Sequence, residues 1–268
     1  MCYFFLEVHK KMNVFLLLIL SNLKHNKVII ATITLILINI LLIIHYVDLK
    51  TGFHIDELYS YAHSNSTQGA FLSEHIDSFF LYTNKDLQNK WISGKEFHDY
   101  LTVQKDEQFR YSHIWDNMAN DVHPPFYYIL LHTVCSFFPD EFNKWHGISL
   151  NIILWVLTLY MTFKFSCLFF SDKKIAFIVP LLYAFSRIGL DTVIYTRMYL
   201  LQTLLAISLL YETFLLLNKN QIDKRNIFLI FLYSFLGIFT IIMLLFFLFL
   251  LLVQLVVFYY FVKTGSYY

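Results

Sequence analysis

Of 268 residues, 58% are hydrophobic and 19% aromatic, while only 15% are charged, against about 25% in an average soluble domain. Those proportions exclude an ordinary soluble domain and point to an integral membrane protein. A formal net charge of +1, with no basic arm, gives no basis for nucleic-acid binding.

Residues 1–27 read as a cytoplasmic N-terminal segment. Lys10 and Lys11 precede the apolar run Val14 to Leu20, but no small-residue cleavage site follows. Met12 is an alternative start. Residues 28–47 carry no Asp, Glu, Lys or Arg and form the first predicted span, since about 20 apolar residues cross a hydrocarbon core of roughly 30 Å. Residues 48–147 are polar and hold most of the acidic side chains. They are expected to form an extracytoplasmic loop with short interfacial helices. Within it, Pro124 to Phe138 is apolar, and at about 15 residues has the length of a re-entrant or interfacial helix.

Residues 148–262 hold the remaining spans, at 148–170, 175–193, 198–217 and 226–262. The last run would measure roughly 55 Å as one helix, so two crossings are expected, turning between Gly237 and Thr240. Residues 263–268 form a tail. Placing the N-terminus in the cytoplasm, with 124–138 not crossing, puts Lys173, Lys174, the run Lys219 to Arg225 and Lys263 inside. The opposite choice puts all of them outside. Lipid admits only helices or closed barrels, so the expected fold class is all-α, polytopic, with about six spans. The location that follows is the cell membrane, multi-pass, in contact with the lipid bilayer.

Cys2, Cys135 and Cys167 are odd in number and lack metal-like spacing, so neither a disulfide framework nor a zinc site is expected. The sequon Asn65-Ser66-Thr67 matters only in a eukaryotic secretory compartment.

Three motifs fall on the expected outer side: His54-Ile55-Asp56-Glu57, Asp121-Val122-His123-Pro124-Pro125-Phe126-Tyr127-Tyr128, and Tyr195-Thr196-Arg197-Met198-Tyr199. Each has a bland explanation. Adjacent carboxylates outside a membrane are usually solvated, and consecutive positions differ by about 100° around a helix. Proline suits a helix start and forces the preceding residue to extended geometry. His132 lies nine residues after His123, out of phase at 3.6 residues per turn, and reads as a packing residue. Tyr195 and Tyr199 suit an aromatic belt. Arg187 and Asp191 are four apart and pair on one helical face. Arg197 has no such partner on its own helix, so an anion from elsewhere is expected there.

Together, in this order, the motifs resemble the N-terminal half of the GT-C superfamily of polytopic glycosyltransferases. The likeness is to the bacterial family 39 type, related to protein mannosyltransferases and the lipid A aminoarabinose transferase. It covers about residues 50 to 217, and the Asp-x-His-Pro-Pro-x-Tyr-Tyr string is its most specific part. The resemblance implies an inverting transferase using a sugar on a polyprenyl phosphate at the outer leaflet. The acceptor is an extracytoplasmic hydroxyl on a cell-envelope glycan, lipid or protein. Asp56 would deprotonate or orient that hydroxyl, with Glu57 in support. Arg197, with Tyr195 and Tyr199, would hold the donor phosphate. His123, Asp121 and Lys144 would bind substrate. Metal dependence stays open, because a divalent cation would find only His54 and Asp56 as ligands.

The sequence departs from the family pattern in three places. Where members carry an arginine after the His-Pro-Pro helix, this chain reads Phe142-Asn143-Lys144-Trp145-His146-Gly147. Where many show a His-Tyr at a later span, it reads Phe239-Thr240-Ile241-Ile242. The family has roughly twice as many spans, so a truncated transferase is expected. Two other classes stay open: a non-catalytic membrane partner, and a transporter or lipid flippase. No internal repeat supports the latter, and the mid-span polar residues Asn39, Asn151 and Gln202 are scattered.

Overall fold

The computed structural model describes residues 27–67, 93–119, 121, 123–217 and 223–241. The N-terminal lead-in, the expected second crossing after residue 241 and the tail lie outside them. Among the described residues every regular element is helical. Helix α1 (Lys27–Leu49) is followed by four short helices, α2 (Ile55–Asn65), α3 (Gly94–Leu101), α4 (Ser112–Ala119) and α5 (Phe126–Cys135). Then come α6 (Lys144–Ser166), α7 (Lys173–Ala184), α8 (Arg187–Ile194), α9 (Tyr199–Leu217) and α10 (Lys224–Ile238).

Three helices, α1, α6 and α9, are long and apolar enough to cross a membrane, and α7 with α8 makes a fourth if the bent pair is one span. Their outward faces carry large apolar side chains, among them Leu41, Ile153 and Leu182, as expected for helices apolar all round. The run 175–193, expected as one helix, is two helices bent by 57°. Pro180 removes one backbone donor inside α7, and Ser186 restarts the chain by accepting from Gly189 N at 3.0 Å. A Cβ on Gly189 would lie 2.7 Å from Trp155 Cη2, so the bend packs against α6 only because that residue is glycine. Arg187 and Asp191 pair across the surface of α8 at 3.4 Å, as their spacing predicts.

Helix α6 starts earlier than the apolar run that predicts it. Asn143 caps it, accepting from Trp145 N at 3.0 Å, so Lys144 and His146 join the helix ahead of the apolar residues. Helix α5 holds ten residues, too short to cross, in line with the re-entrant or interfacial expectation. Pro125 occupies its cap position and offers no side-chain acceptor. The first free amide, Phe126 N, instead donates to Phe239 O at 2.9 Å, tying α5 to the end of α10. The chain turns at residues 239–240, and the return crossing expected beyond that turn lies outside the described residues.

Helix α2 is the hub of the short helices. Its C-terminal carbonyls are answered from α4: His113 Nε2 lies 2.9 Å from Ser64 O, and Asn117 Nδ2 donates to His63 O and Ser66 O at 3.1 and 2.9 Å. Asn65 is fully buried and donates to Leu101 O at 2.9 Å, so the sequon asparagine is structural in this fold. His132 Nδ1 lies 3.3 Å from Asn65 Oδ1, and the ring is fully buried, which matches its reading as a packing residue. Cys135 and Cys167 are both free thiols.

Tyr61 joins α2 to α6. Its hydroxyl donates to Asn143 O at 3.0 Å and accepts from Gly147 N at 3.0 Å, one of the orphan amides of the first turn of α6. Burial first of all, with Cys135 and Glu57 adding to it, raises the phenol well above its usual range, so it remains a donor. Tyr61→Phe is expected to lower stability by about 1–3 kcal/mol, the cost of leaving both groups unpaired. Thermal unfolding in detergent micelles checks this, and an unchanged midpoint would refute it.

Candidate functional site

The lengths and directions of the helices bring four chain ends to one end of the bundle: the end of α1, the start of α6, the end of α8 and the start of α9. The start of α2 sits among them. Every cluster below forms there.

Glu57 anchors it. Its side chain is 2% exposed and pairs through Oε1 with Lys50 Nζ just past α1. Oε1 also accepts from Thr196 N at 2.9 Å, and Oε2 from His54 N at 2.9 Å. The last contact closes the first turn of α2, where the His54 ring Nδ1 accepts from Asp56 N at 3.2 Å. Glu57 is therefore engaged on three sides by the protein. Lys50 also donates to Ile194 O at 2.9 Å, at the end of α8.

Asp56, one position earlier, is turned to the open side and keeps its carboxylate 36% exposed. Its Oδ2 accepts from Tyr195 OH at 2.8 Å. The same hydroxyl lies 3.0 Å from His54 Nδ1. Burial and then the bond to Asp56 raise the Tyr195 phenol far above its usual range, so it keeps its proton. The ring of Tyr199 lies parallel to that of Tyr195, with centroids 6.3 Å apart, and is exposed.

Arg197 comes from the same link and is 6% exposed. Its Nη1 donates to Asp56 O at 3.3 Å and its Nη2 lies 3.5 Å from His123 Nε2. Its Nε is buried without a hydrogen-bond partner. Burial works against the charge, but Tyr128, Asp56 and Tyr199 outweigh it and hold the guanidinium protonated. His123 is oriented from the far side: its Nδ1 lies 2.8 Å from Asp121 Oδ2. With the proton on Nδ1, Nε2 presents a lone pair to Arg197. Asp121 Oδ2 also meets His63 Nε2 at 3.3 Å. Burial, opposed in part by Asp121, pushes His63 down to about 4.

The three sequence motifs thus meet. Asp56, Tyr195, Arg197, His123 and Asp121 form one chain of contacts, with Glu57 behind it and Tyr199 beside it. Lys144 does not join. Its Nζ donates to Val47 O and Lys50 O at 2.7 and 3.0 Å, covering the last carbonyls of α1. Among the described residues, no three His, Cys, Asp or Glu side chains gather as metal ligands. His54 Nδ1 and Asp56 Oδ2 stand 3.5 Å apart.

Three participants were not singled out from sequence. Lys50 reaches Glu57 across a turn, with no helical period to reveal it. Thr196 takes part through its backbone, which no side-chain motif encodes. His63 lies seven residues after Asp56 on the same helix, and that period was a usable signal. Gly147 is required here too, because a Cβ on it would collide with the Thr196 side chain. Asn151 holds the same link, donating to Val193 O and Tyr195 O, each at 3.0 Å. No family model, no curated protein and no solved structure matches this chain.

Two tests follow from the electrostatics. Glu57→Gln breaks a buried pair and is expected to cost about 3–5 kcal/mol, whereas Asp56→Asn leaves the fold nearly unchanged; unfolding midpoints of the two variants decide it. His63 and His132 sit at about 4 in the folded chain, chiefly through burial, against 6.5 for an unperturbed imidazole. Between those values the unfolded chain binds more protons, so stability is expected to fall as pH drops from about 6.5 towards 4. His132→Gln should flatten that slope in a pH series of thermal melts. An equally steep slope in the variant would remove His132 as its source.

Proposed function

We propose that this protein is a membrane glycosyltransferase of the GT-C type. It moves a sugar from a polyprenyl-phosphate donor to an acceptor hydroxyl on the extracytoplasmic face of the cell membrane. In this reading the N-terminus is cytoplasmic, the spans number about six, and the clustered end of the bundle faces outwards.

The observation that supports it most is the meeting of Asp56 with Arg197, 141 residues away, beside the His-Pro-Pro motif. One exposed carboxylate and one charged, partly unengaged guanidinium are what the reaction needs. The acceptor hydroxyl gives its proton to Asp56 as its oxygen attacks the anomeric carbon. The bond from that carbon to the phosphate oxygen breaks on the opposite face, which inverts the centre. Polyprenyl phosphate leaves with one more negative charge, and Arg197 stabilises it there. Tyr195 fixes one carboxylate oxygen of Asp56 and leaves the other to the acceptor. His123, oriented by Asp121, lies on the phosphate side of Arg197. Glu57 supports by holding Asp56 in place.

The test is sugar transfer in membranes carrying the chain, supplied with labelled polyprenyl-phosphate sugars. Asp56→Asn is expected to lower transfer about 10²–10⁴-fold, and Arg197→Lys to weaken donor use more than acceptor use. Absence of transfer by the inserted, folded wild-type chain would count against the transferase and for a non-catalytic membrane partner.

A further inference from the structure

At the opposite end of the bundle, where α6 and α9 finish and α10 begins, lies a cavity of about 390 Å³. It takes no part in the cluster around Asp56. Its floor holds Glu212, a carboxylate in a spanning helix and only 7% exposed. Asn226 Nδ2 donates to Glu212 Oε2 at 2.5 Å, which brings the start of α10 level with it. An ionisable group inside an apolar helix is costly and marks function by default.

Two cations share the cavity. Lys164 Nζ sits 5.4 Å from the centroid of the Tyr211 ring, next in sequence to Glu212, and Arg225 opens α10. A second carboxylate, Asp223, accepts from Arg225 N at 2.9 Å. The rings of Tyr160 and Tyr233 also line it, beside Leu215 and Leu229. Elsewhere on their surfaces the same helices expose Leu157, Leu217, Phe228 and Phe231, side chains suited to lipid.

We propose that this cavity binds a zwitterionic phospholipid headgroup bearing a primary ammonium, as in phosphatidylethanolamine. The phosphate meets Lys164 and Arg225. The ammonium meets Glu212 and the tyrosine rings. Charge decides between ligand classes: an anionic headgroup would bring no cation to Glu212 and Asp223, and a metal cation would face Lys164 and Arg225. A choline headgroup suits the rings but has no N–H to donate to Glu212. The apolar exposed faces of the helices that form the cavity favour a lipid over a soluble zwitterion of the same chemistry. None of this rests on the transferase reading.

The experiment measures lipid retention by native mass spectrometry, with thermal melts in parallel, on the full chain in micelles. The probes are phosphatidylethanolamine, phosphatidylcholine, phosphatidylglycerol and soluble glycerophosphoethanolamine. The wild-type chain is expected to retain phosphatidylethanolamine about tenfold over the other two lipids and to gain nothing from the soluble probe. Glu212→Gln should erase the preference over phosphatidylcholine, and Lys164→Ala should weaken all lipids. Equal retention of the three lipids, a preference for phosphatidylglycerol, or equal protection by the soluble probe would each overturn the proposal. The wild-type series decides by itself should Glu212→Gln not fold.

Discussion

A carboxylate taken out of water must recover its lost hydration from fixed donors, and Glu57 is where that constraint is met in this chain. Its partners come from three places: Lys50 beyond α1, His54 at the start of α2, and Thr196 between α8 and α9. Satisfying one buried charge therefore fixes three segments relative to one another. Asp56 inherits its position from this arrangement. It follows the same helical turn but is rotated by about 100°, so one acid is enclosed and its neighbour stays open.

The same end of the bundle has a second requirement. Helices that stop there leave carbonyls without intrahelical partners, and polar side chains from neighbouring helices reach across to them. Lys144 covers the end of α1, Lys50 and Asn151 cover the end of α8, and Tyr61 serves the start of α6. These contacts fix the link that carries Tyr195 and Arg197, and Gly147 leaves room for it to lie against α6. The guanidinium is then held by Asp56 O and His123 while its Nε has no partner. Protein contacts on two of its nitrogens thus fix the position of this cation.

The two ends of the long helices differ in kind. At one, the polar groups are paired with each other and with backbone in a dense network. At the other, Glu212, Lys164 and Arg225 line an open cavity. Glu212 is bonded by Asn226, and an ionisable side chain inside an apolar helix is costly to keep.

The sequence alone determined the class of the molecule, because charge-free runs of spanning length leave few choices in lipid. It also placed the short helix after His-Pro-Pro, since length and proline act locally. The paired Arg187 and Asp191 and the packed His132 were legible for the same reason. Tertiary structure decided the rest. The break in 175–193 depends on Ser186 capping a new helix and on Gly189 packing against Trp155. Lys144, which the family resemblance implied as a substrate residue, is spent on carbonyls 94 and 97 residues earlier in the chain. The division between Glu57 and Asp56 needed Lys50 and Thr196 to be brought in from outside α2. Sequence periodicity reports the face of one helix; which buried charge meets which distant donor is a property of the packed assembly.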